Sequence, residues 1–115
     1  MSADGDMARL LLAAELRFRR CGEDLARITR ESAALRAEAE RVRACRPDPV
    51  EQLVLRGAAA RHAAAFETLR DLSLRDLGMK LAGRAAAREA QLAATRRAFG
   101  RLEALRRHAR TADRR

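Results

Sequence analysis

A chain of 115 residues with no tryptophan, no tyrosine and only three phenylalanines has little with which to fill a thick multilayer core. Alanine, leucine, arginine and glutamate dominate, the composition of long helices and coiled coils, and two packed helices suit that supply of side chains. The net charge of +9, from 25 Lys and Arg against 16 Asp and Glu, points to an acidic partner surface or to nucleic acid. No run approaches the roughly 20 apolar residues needed to cross a bilayer. The longest near the start, Leu10–Ala14, is too short for a signal-peptide core and lacks a basic lead-in. The expectation is a cytoplasmic protein with no transmembrane segment.

Residues 1–6 read as a flexible lead-in, and Met7 opens a helix over 7–46. Written as heptads, one row of that helix holds Leu11, Phe18, Leu25, Ser32 and Ala39, and the other holds Met7, Ala14, Cys21, Ile28, Leu35 and Val42. Ten of these eleven positions are apolar or cysteine, a sustained coiled-coil seam. Cys21 fits as a small seam residue and Cys45 as an incidental thiol. On one helix the two would stand about 36 Å apart, too far to pair.

The only prolines, Pro47 and Pro49, follow at once. Pro47 pushes Arg46 out of the helical region, Asp48 can cap a new helix, and Pro49 can occupy its first position, where the missing N–H costs nothing. Glu51 completes a capping-box-like pair with Asp48. A hinge at Pro47, Asp48 and Pro49 therefore predicts an antiparallel return. The second helix is expected over 49–110, with a flexible tail at 111–115. Its stripe runs Leu55, Ala59, His62, Phe66, Leu69, Ser73, Leu77, Leu81, Ala85, Arg88, Leu92, Thr95, Phe99 and Leu102. Three successive steps of four, 73 to 85, would locally unwind a supercoil. The predicted fold is an all-α, antiparallel two-helix coiled-coil hairpin with a longer second helix.

If the hairpin closes at the prolines, residues 88–110 overhang the first arm. Residues 1–46 carry net +2, residues 47–87 net +1, and residues 88–115 net +6, so the overhang is also the most basic segment. Its apolar edge, with Leu102, Leu105 and Phe99, is surrounded by Arg97, Arg101 and Arg106, a pattern suited to docking. A second surface is expected at Leu72, Leu74 and Met79, because a two-helix hairpin can cover only one side of this leucine-rich stretch.

No motif for catalysis, metal binding or phosphate cradling is present, so no enzyme activity, cofactor or metal is expected. His62 and His108 lie far apart in sequence and lack ligand-spaced neighbours. The arginine-rich stretch 96–110 has no aromatic other than Phe99 for stacking and no Asn or Gln for adenine readout, which argues against specific nucleic-acid recognition.

Two segments carry a family likeness. "ARLLLAAELRFRRCGEDLARI" (Ala8–Ile28) resembles the L-x-x-x-E-L-R-x-R-R start of the FliJ/YscO family of type III export stalk proteins, and "RRAFGRLEALRRHARTADRR" (Arg96–Arg115) resembles that family's basic C-terminal helix. A tryptophan-bearing middle segment seen in some members is absent here. The resemblance implies a cytoplasmic, non-enzymatic stalk at the inner-membrane export apparatus, flagellar or injectisome. Its helix ends would sit in the central opening of a hexameric secretion ATPase, and the remainder would reach toward the export gate protein. The matching residues would be Leu10, Leu11, Glu15 and Arg17 with Arg97, Phe99, Arg101, Leu102, Leu105 and Arg106. The rival readings are an export chaperone or adaptor that holds a secreted subunit on Leu72, Leu74 and Met79, and a dimerising coiled coil whose basic tail touches nucleic acid.

Overall fold

The computed structural model describes residues 3–49 and 58–114. The fold is an all-α helical hairpin: α1 spans Ala3–Ala44 and α2 spans Ala59–Asp113, and the second helix is the longer, 55 residues against 42. Both helices extend beyond their expected bounds. The supposedly flexible lead-in is helical from Ala3, with Asp4 and Asp6 in the first turn, and the supposed tail is helical to Asp113, with Arg110 in the last. Acids at a helix start and bases at its end oppose the helix dipole and favour both extensions. The expected start of the second helix at Pro49 adjoins residues 50–57, which lie outside the described residues together with Leu55 and Glu51. α2 runs without interruption through Gly78 and Gly83.

α1 ends at Ala44, just short of its expected bound at residue 46. The Cys45 N–H donates to the carbonyls of Arg41 and Val42, at 3.1 and 3.2 Å. The Arg46 guanidinium donates to the carbonyls of Arg43 and Cys45, at 2.6 and 2.9 Å. These bonds satisfy carbonyls that have no partner in a following turn, and Pro47 cannot continue the helix.

The chain forms two compact units. The terminal unit pairs Met1–Arg30 with Ala86–Arg115, and the central unit is Glu31–Ala85. In the terminal unit the core is Ala14, Ile28, Ala98 and Leu102; in the central unit it is Ser32, Ala39 and Leu77. Leu102, at 2% exposure, is the most buried of them. All eleven seam positions expected in α1 are buried or half-buried.

The pairing corrects the expected overhang. A reversal centred on Asp48 would set Phe18, thirty residues before it, against residue 78. Phe18 instead meets Phe99 edge to face, ring centroids 5.4 Å apart. In the central unit Glu31 would face residue 65, yet its carboxylate accepts from the Arg84 guanidinium at 2.8 Å. Segment 88–110 is therefore no overhang: it is the partner of the first thirty residues, with Ala98 and Leu102 buried in the seam. A helix stop fixes where α1 ends, whereas the match of apolar positions fixes what faces what.

The expected stripe on α2 is corrected as well. Leu69, Ser73, Ala85 and Arg88 are exposed, while Arg70, Leu74, Leu77, Leu81 and Arg84 are half-buried or buried. The observed row steps 4, 3, 4, 3, so the three successive fours disappear. Arginine stems cover the seam while their charged heads stay wet.

Candidate functional site

The terminal unit is tied by polar contacts that require close helices. Gln91 Nε2 donates to the Cys21 carbonyl at 3.0 Å, and the Thr95 hydroxyl approaches the same oxygen at 3.4 Å while bonding the Gln91 carbonyl at 2.8 Å. Small residues at Ala14 and Ala98 permit that approach. Arg106 pairs with Glu103 at 3.0 Å along α2 and reaches Glu15 of α1 at 3.7 Å. Among the described residues no buried side-chain polar atom lacks a partner.

The ten residues implied as ATPase contacts fall together in this unit, in three kinds of position. Leu102 is buried and Leu11 half-buried, so both serve the seam. Glu15 and Arg106 are engaged with each other. Leu10, Arg17, Arg97 and Arg101 face solvent, Phe99 remains 48% exposed despite its contact with Phe18, and Leu105 is half-buried. Two exposed leucines were missed. Leu12 and Leu16, each more than half exposed, lie one turn apart on α1 outside its seam. The signal was present: two leucines at i, i+4 outside both seam rows, among Arg9, Arg19 and Arg20.

No family model, curated protein or solved structure matches the chain. The chemistry on the surface must therefore carry the functional reading.

The second surface changes membership. Leu72 and Met79 are seven residues apart and share a face, with Met79 76% exposed. Leu74 is half-buried on the opposite side, toward the seam. Leu69, exposed and three residues before Leu72, takes its place. The row Ala65, Leu69, Leu72, Asp76, Met79 and Gly83 is a regular 4-3 stripe on the outside of α2, with Asp76 held by Lys80 at 3.1 Å.

Among the described residues, no group of three or more His, Cys, Asp or Glu could hold a metal ion, and no helix is long and apolar enough to cross a membrane. Cys21 is half-buried and Cys45 exposed, both free thiols. The grooves are shallow and lined mainly by arginine and leucine, with Glu15, Glu23 and Asp24 among them. Such a surface can bind and orient a partner.

Proposed function

We propose that the chain is a non-enzymatic stalk of a type III export apparatus, which docks its terminal unit in the central opening of a hexameric export ATPase and stimulates it, with the remainder reaching toward the export gate. One observation carries this reading. The first thirty and last thirty residues, which include the two stretches that resemble the stalk family (8–28 and 96–115), pair into one unit that holds fifteen arginines against eight acids. That is +7 of the chain's +9, on a surface that also exposes Leu10, Leu12, Leu16 and Phe99. A basic rod with outward leucines suits insertion among acidic and apolar groups of a surrounding ring, and its affinity should fall with salt.

The test mixes the purified protein with a cognate secretion ATPase and follows phosphate release and co-elution at low salt. Stimulation that is lost in Arg97→Glu/Arg101→Glu and kept in Leu72→Ser/Met79→Ser is expected. Absence of both stimulation and co-elution sinks the proposal. The export-adaptor reading draws on the outer stripe at Leu69, Leu72 and Met79. It predicts the reverse pattern: loss of a secreted subunit in Leu72→Ser/Met79→Ser, with the arginine reversal silent.

A further inference from the structure

Along one side of the terminal unit runs a groove between α1 and α2, floored by Leu10, Leu16 and Leu105 and rimmed by Arg17, Arg20 and Arg101. Leu10 and Leu16 are more than half exposed. No acidic residue lines it. None of the three arginines makes an ion pair among the described residues. Two other interhelix grooves differ in this respect. The one beside Phe18 sets Glu15 against Arg19 and Arg106, and the one in the central unit mixes Glu31 and Glu38 with Lys80 and Arg84.

We propose that this groove takes a third helix, contributed by a partner protein, whose apolar stripe is flanked by aspartate and glutamate. The inference rests on the stalk reading in treating the terminal unit as the docking part, and it adds the chemistry of what docks there. A helix fits because two neighbouring helices present facing rows: Leu10, Ala13 and Arg17 on α1, and Arg101 and Leu105 on α2. From Leu10 to Arg20 the groove is about 15 Å long, close to three turns. Acidic flanks fit because the rim has a single sign and no internal counter-charge. A second copy of the chain is disfavoured, since its terminal unit would bring +7 against +7. A lipid surface is disfavoured because the lining comes from two facing helices rather than from one amphipathic face.

The test uses the full-length protein labelled for NMR. It is titrated with a designed helical peptide of about three heptads, a leucine stripe flanked by glutamate, and separately with the same peptide carrying lysine flanks. Phosphatidylglycerol vesicles form the third arm. The glutamate peptide should shift the amides of Leu10, Ala13, Arg17, Arg101 and Leu105, bind at least about tenfold tighter than its lysine counterpart, and weaken about tenfold in Arg17→Gln/Arg101→Gln. Equal binding of both peptides, or shifts centred on Leu69, Leu72 and Met79, overturns the inference. Vesicles that shift the groove residues when the peptide does not would assign the groove to an anionic membrane and overturn it too. ATPase stimulation without peptide binding removes the groove and leaves the stalk. Peptide binding without stimulation does the opposite.

Discussion

The terminal and central units are built alike and charged differently. Each buries a thin seam of small residues with one or two larger ones: Ile28 and Leu102 in the first, Leu77 in the second. Each turns leucines outward. Yet the terminal unit carries +7 and the central unit, with ten basic residues against eight acids, only +2. Their cross-helix ties differ too: Gln91 and Thr95 on a backbone carbonyl in one, an Arg84–Glu31 ion pair in the other. The scaffold is common to both units, and what would distinguish partners is the electrostatics of the outer face.

The comparison can be broken most forcefully in the seams. Leu102→Ala should destabilise the terminal unit by about 2–4 kcal/mol, and Leu77→Ala the central unit by a similar amount, both read by urea unfolding. Native-state hydrogen exchange should then show each loss concentrated in its own unit. A uniform loss in both cases would mean that the hairpin opens as one piece.

Smaller in size and opposite in sign is the effect of the glycines. A Cβ at Gly22, Gly78, Gly83 or Gly100 meets nothing within 4 Å. Alanine at each should therefore stabilise by about 1 kcal/mol, and thermal melts of Gly22→Ala and Gly78→Ala sharpen the comparison one unit at a time. Next comes Gln91→Met, which deletes the donor to the Cys21 carbonyl and should cost about 1 kcal/mol by denaturant titration. The smallest effect is Glu31→Gln: both partners of that ion pair are well exposed, so about 0.5 kcal/mol or less should be lost, and less still at high salt.

The seam of α1 was legible because its apolar positions repeat at regular heptads. α2 was legible as a helix but not as a face. The leucines drew the expected stripe through Leu69, whereas the seam runs through Arg70 and Arg84, whose long stems stand in for apolar residues. Register was illegible for a related reason. Phe18 faces Phe99 rather than residue 78, a shift of twenty-one residues, and three whole heptads leave the seam pattern unchanged. Sequence periodicity cannot rank such shifts; the match of Phe18 to Phe99 and the fit of small residues decide among them. The candidate site inherited that error. The arginines of 96–110 stand out in the sequence, but their neighbours on α1 could be assigned only once the pairing was known.

The same pairing sets an order of assembly. Glu31 and Arg84 are 53 positions apart along the chain, whereas Cys21 and Gln91 are 70 apart, and Glu15 and Arg106 farther still. Ring-closure entropy rises with each added stretch, so the association should zip outward from the middle of the chain. During synthesis the opening segment must therefore wait for almost the whole message to be read before its mate exists, with its leucines available meanwhile to any holdase nearby.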